Sequence, residues 1–117
     1  MQRLCFLLAL ALFTGLGLPW AHAADLRGPI SVIDGDTFDI RGTRVRLFGI
    51  DAVEKDQTCT SKSGEEWRCG AWVTSVVTQR YQGRTARCEA VDTDRYGRTV
   101  ARCFVAGQDV ARVLVED

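Results

Sequence analysis

Residues 32–54 read VIDGDTFDIRGTRVRLFGIDAVE. Residues 37–40 form a short apolar run, and Arg41-Gly42 is a two-residue hairpin turn. Beyond it Val45 and Leu47 alternate with Arg44 and Arg46, the period of a half-buried strand. One face of that strand packs a barrel core while the other presents arginines. Residues 29–33 supply a further strand before the turn. The same stretch gathers Asp34, Asp36, Asp51 and Glu54 around the arginines. Carboxylate oxygens are the ligands of a hard cation such as Ca²⁺, and an arginine fork grips phosphate. Their combination points to metal-assisted cleavage of a phosphodiester. Asp-Gly-Asp-Thr alone is an ordinary turn, and the terminal Glu of an EF-hand loop is missing.

Further along, residues 55–69 are polar, carry Cys59 and Cys69 and read as a loop. From Gly70 the period changes. Val73, Val76, Val77 and Tyr81 recur at three and four, so an amphipathic helix runs to about Gly83. Its Val and Thr content makes packing its main support. Trp67 and Trp72 read as core or loop packing rather than as a platform for bases. Residues 86–91 and 99–105 form an antiparallel pair joined by the turn Asp92-Thr93-Asp94-Arg95-Tyr96-Gly97-Arg98. After Gly107, the residues Val110, Val113 and Leu114 mark a second helix. There is no repeat and no linker.

The first 23 residues have the pattern of a secretory signal: Arg3, an apolar run from Leu4 to Leu18, Pro19, then Ala21-His22-Ala23 before the cut. The alternative, a retained anchor, needs ~20 apolar residues, and Gly15, Gly17 and Pro19 interrupt this run. The expected organisation is a signal at 1–23 and one domain at 24–117. The destination is secreted or periplasmic, with no membrane attachment after cleavage. His22 is the single histidine. Its removal excludes Ser-His-Asp hydrolases, histidine-metal nucleases and His-containing zinc fingers. The balanced charge excludes a nucleic-acid coat protein, which would show a basic face. Cys59, Cys69, Cys88 and Cys103 are too widely spaced for a zinc site and read as two disulfides. Cys59–Cys69 with Cys88–Cys103 is the favoured pairing of three.

In their order these motifs resemble the thermonuclease (staphylococcal nuclease-like) family. The matching pieces are VIDGDTFDI (32–40), RVRLFGIDAVE (44–54), the helix from about 70 and DTDRYGRTVARCFVAGQDVARVLV (92–115). The resemblance implies an α+β fold: a five-stranded, partly open Greek-key barrel of the OB type with flanking helices. It implies a Ca²⁺-dependent endonuclease, acting as a monomer on DNA and RNA and leaving 3′-phosphate ends. Asp36, Asp51 and the Ala52 carbonyl would hold the metal, with Asp34 behind them. Glu54 would activate water, and Arg46 and Arg98 would stabilise the phosphate. Arg95 and Tyr96 would touch substrate. Val53 stands where the family usually has proline. Family members also continue into a Gly-Leu-Ala-like segment, a tyrosine-bearing loop and a third helix, so this chain reads as C-terminally incomplete. The competing expectation is a non-catalytic nucleic-acid-binding OB module or an inactive remnant.

Overall fold

Two mirror-image turns set the hairpins of the sheet. In the first, Arg41 and Gly42 both have positive φ, 52° and 84°, the geometry that matches the twist of paired strands. It joins β2 (Thr37–Ile40) to β3 (Thr43–Leu47) with Ile40 opposite Thr43. In the second, Ala106 and Gly107 repeat that geometry between β7 (Thr99–Val105) and β8 (Gln108–Asp109). These elements belong to a computed structural model, which describes residues 25–116 together with Gly15 and Gly17. Apart from those two glycines, the expected signal lies outside the described residues, as does its cleavage site.

The remaining large strands are β1 (Leu26–Asp34) and β6 (Thr85–Thr93). The main sheet runs β3-β2-β1-β6-β7-β8, and β3 also pairs with β7. That last pairing is parallel, with Val45 opposite Thr99 and Leu47 opposite Ala101. It closes five strands into a mixed barrel, tighter than the partly open one expected. Inward positions alternate as the sequence predicts: Phe38, Ile40, Val45, Leu47, Ala101 and Cys103 are all buried. Cys88 and Cys103 face each other across the β6–β7 hairpin and are bonded. A link closing 15 residues contributes about 3 kcal/mol in the chain-entropy view.

Helix α1 (Cys69–Tyr81) lies on β1, with Val77 and Tyr81 buried and the Tyr81 ring 6.2 Å from that of Phe38. Its exit is tied down by hydrogen bonds: Val32 N–H donates to the Gln82 side chain and Gly83 N–H to the Ile30 carbonyl. The buried stripe is narrower than its sequence period implies. Val76 is only half-buried, whereas Thr74 is buried with its hydroxyl unpartnered. Helix α2 (Val110–Glu116) packs on β7 through Val110 and Ala111.

Residues 55–69 differ from the expected loop. They contain a small hairpin, β4 (Cys59–Thr60) with β5 (Glu66–Trp67), and Cys59 is bonded to Cys69 at the start of α1. Two-residue strands are too short to display a period, which is why the sequence hides them. Nor do Trp67 and Trp72 pack into the core. They are 44% and 59% exposed and touch each other.

Gly70 explains how α1 meets the preceding loop. A Cβ there would lie 1.8 Å from the Glu54 carbonyl oxygen and 2.8 Å from that of Lys55. In an open helix Gly→Ala gains about 1 kcal/mol. Here the backbone must shift, so Gly70→Ala is expected to lose about 1–3 kcal/mol. A thermal melt checks the sign, and a raised melting temperature would contradict this packing.

Candidate active site

Asp34 ends β1, and Gly35-Asp36 forms the turn into β2. The Asp36 N–H donates to Asp34 Oδ1 at 3.2 Å, bending the turn so that both carboxylates sit together. Gly35 has a different role from the one its neighbours imply. Its φ is not positive; the glycine is there for close approach. An added Cβ would lie 2.7 Å from both the Ala52 Cβ and the Val73 side chain. The acidic turn is thereby pressed against the loop that follows β3 and against α1.

That contact brings distant residues to one place. Asp36 is buried; its Oδ1 accepts from the Thr37 hydroxyl at 2.9 Å and its Oδ2 from the Ala52 N–H at 3.1 Å. Arg46 projects from the outer face of β3. Its Nη2 lies 3.1 Å from Asp51 Oδ1 and 3.6 Å from Asp36 Oδ2. The two carboxylates thus converge on one guanidinium nitrogen. Asp51 itself is largely in solvent.

Burial first, and then the neighbouring Asp36, push the Asp34 carboxyl above its usual range. Burial also opposes ionisation of Asp36. Hydrogen bonds from Asp34, Ala52 and Thr37 outweigh it, together with the Arg46 charge, and hold Asp36 below its ordinary value. Asp36 is therefore the more readily ionised member of the pair.

Other expected site residues are placed less directly. Glu54 is exposed, and its carboxylate has no hydrogen bond or ion pair among the described residues. Ala52 enters the cluster through its N–H. Arg98 lies one residue before β7, whose Val100 is opposite Arg46, but its guanidinium turns back onto Asp94 at 2.6 Å. Arg95 and Arg98 both lie over the exposed Tyr96 ring, at 4.8 and 5.5 Å. Arg44 is solvated.

Sequence reasoning missed Asp94. Its Oδ1 accepts the N–H groups of Tyr96 and Arg98, both at 2.9 Å, so it builds the turn that carries Arg98. An aspartate two residues before the turn centre is the usual signal for such a bond. Among the described residues there is no group of three or more His, Cys, Asp or Glu able to hold a metal. An apolar groove of about 440 Å³ adjoins the cluster, bordered by Asp51, Ala52, Trp72, Val73 and Leu114.

Residues 44–117 match the family model described as Staphylococcal nuclease homologue. The chain belongs to that family. The matched segment takes in Arg46, Asp51, Glu54 and Arg98, while Asp34 and Asp36 precede it. Curated relatives include the "Succinoglycan biosynthesis protein ExoI" of Rhizobium meliloti (strain 1021), 45% identical over 80% of this chain and 50% of that protein. An "Uncharacterized endonuclease" of Escherichia coli O157:H7 is 31% identical over 79% of this chain and 58% of its own length. The "Protein ParB" of Escherichia coli is 34% identical over 83% and 50%. This staphylococcal nuclease homologue thus spans about half the length of the curated relatives it matches.

Asp94 yields a pH prediction. Burial, the largest single influence, opposes its ionisation, but the N–H and guanidinium of Arg98 and the Tyr96 N–H together outweigh it and hold its carboxyl below the ordinary 3.8. A depressed carboxylate stabilises the fold above its unfolded pKa and loses that contribution as pH falls through the folded one. Asp94→Asn should therefore melt earlier than the parent at neutral pH. The gap should close as the pH drops below 3.8. Melting curves against pH test this, and a gap that widens in acid would contradict it.

Proposed function

We propose that the chain is an exported, Ca²⁺-dependent endonuclease that hydrolyses phosphodiester bonds of DNA and RNA. The observation that carries this reading is the convergence of Asp36 and Asp51, from two separate turns, on the single Arg46 nitrogen. A relative named as an endonuclease supports it, as does family membership.

The donor set fits a hard cation. Asp36 and Asp51 offer oxygens only, each with lone pairs beyond those already engaged. Among the described residues there is no histidine, and all four cysteines are in disulfides, so neither imidazole nor thiolate competes as a ligand. Asp36, Asp51 and the Ala52 carbonyl would hold Ca²⁺, with Asp34 supporting Asp36. Ca²⁺ takes six to eight oxygens, so these residues would supply only part of what it needs. Bound there, the ion supplies Lewis-acid polarisation of the phosphate.

The chain's own groups do the rest. Glu54, unheld and facing solvent, orients the attacking water and takes its proton. Arg46 exchanges its carboxylates for phosphate oxygens, and Arg98 leaves Asp94 to join it. Both guanidiniums stay charged at any working pH, so they balance developing negative charge rather than donate protons. Arg95 and Tyr96 contact the strand beside the cleaved bond.

Two disulfides fit an oxidising compartment. No helix among the described residues is long and apolar enough to cross a membrane. We assign residues 1–23 to the export signal and 24–117 to the domain, which acts as a monomer. One observation favours a second reading, a nucleic-acid-binding module without cleavage: Arg98 is held by Asp94, away from the carboxylate pair.

Digestion of single-stranded DNA and of RNA separates the two. With Ca²⁺ the chain should cut both, a chelator should abolish cutting, and Asp51→Ala should lower kcat by about 100-fold or more. Asp51 is exposed, so this variant keeps its fold. Cutting that survives both treatments overturns the proposal, and binding without cutting supports the second reading.

A further inference from the structure

Trp67 and Trp72 have no role in the hydrolytic machinery, yet the fold holds them out to solvent as a pair. We propose that they form a stacking site for one unpaired nucleobase of the substrate strand, beside the carboxylate cluster. This deepens the nuclease reading and rests on it for the direction in which the strand runs.

Three observations carry the inference. The first is exposure. A buried tryptophan removes on the order of 150–250 Å² of surface from water, whereas these two rings leave much of theirs uncovered. They meet edge to face, with centroids 6.2 Å apart and planes at 66°. Rings that meet at that angle form an exposed aromatic notch, against which a single base can stack.

The second observation is the mounting. Trp67 is on β5 opposite Cys59, Cys59 is bonded to Cys69, and Cys69 opens the helix that carries Trp72. The disulfide therefore joins the strand of one tryptophan to the helix of the other. The Gly70 N–H donates to the Gln57 carbonyl at 3.0 Å, and Gly70 itself abuts the Glu54 carbonyl. The notch is thus tied to the backbone of the residue proposed to activate water. Such mounting limits the ordering lost on binding.

The third observation is continuity. Trp72, the wall of the notch nearer the cluster, borders the same groove as Asp51, Ala52 and Val53, so a strand with its phosphate at Asp51 has a path along that groove to the notch. Arg68, exposed between the two tryptophans in sequence, is available to the backbone of that strand. Stacking on aromatics is tolerant of base identity and needs an unpaired base. The site therefore selects single-stranded over duplex substrate without reading sequence.

Binding is measured by anisotropy of labelled oligothymidylate, and of an abasic deoxyribose-phosphate chain of equal length, in calcium-free buffer. The parent should bind the base-bearing strand about 5- to 100-fold more tightly than the abasic one. Trp67→Ala with Trp72→Ala should erase that ratio, whereas Trp67→Phe with Trp72→Phe should retain most of it. Thermal melts confirm that the variants fold. Equal affinity for the two strands, undetectable binding of both, or a ratio unchanged in the double alanine variant overturns the proposal. The two readings fail separately: discrimination without cutting when Ca²⁺ is restored removes the nuclease and keeps the notch, and cutting without discrimination does the reverse.

Discussion

A three-residue parallel pairing between β3 and β7 organises the rest of the molecule. It is the contact that turns a sheet into a barrel, and it is non-local, so its loop-closure entropy must be met by burial elsewhere. Val45 and Leu47 on one side and Ala101 on the other supply that burial. The same register brings the outer face of β3, with Arg46, alongside the segment where Arg98 enters β7. Packing on the inside and chemistry on the outside therefore follow from one alignment. A slip by a single residue would turn Arg44 and Arg46 inward and Val45 and Leu47 outward.

The site built on that alignment is made of ion pairs between partners that could both serve a phosphate reaction. Arg46 rests on Asp36 and Asp51, and Arg98 rests on Asp94. Each guanidinium is satisfied in the free chain, so its oxygen partners must be replaced rather than merely added to. Exposed pairs of this kind contribute only about 0–1 kcal/mol, which keeps the exchange easy. Asp36 is the exception. Its burial and its bonds to Thr37 and Ala52 hold it in place whichever cation lies beside it.

Much of this was legible in the residues. Arg41-Gly42 marked its turn, the alternation around Val45 and Leu47 marked the inner face, and the cysteine spacing favoured the pairing that forms. Other features left no local trace. A strand's period says which face it buries but not which strand lies next to it, so the closing pair was invisible. Gly35 and Gly70 are both sites where another chain segment comes too near for a side chain, a closeness that no local pattern announces. Tryptophan hydrophobicity argued for burial of Trp67 and Trp72, yet a short hairpin bonded to α1 holds them outside. Asp94 passed for part of a charged turn because its role depends on the direction of its own side chain.

The placement of the Cys88–Cys103 bond has a consequence for how the molecule matures. Both cysteines are sealed in the barrel interior, at 1% and 0% exposure. Thiol exchange needs direct access to sulfur, so neither an oxidant nor a reductant reaches this pair once the strands have closed. The bond is therefore made on an open chain and afterwards guarded by its own surroundings, and reduction must wait for unfolding.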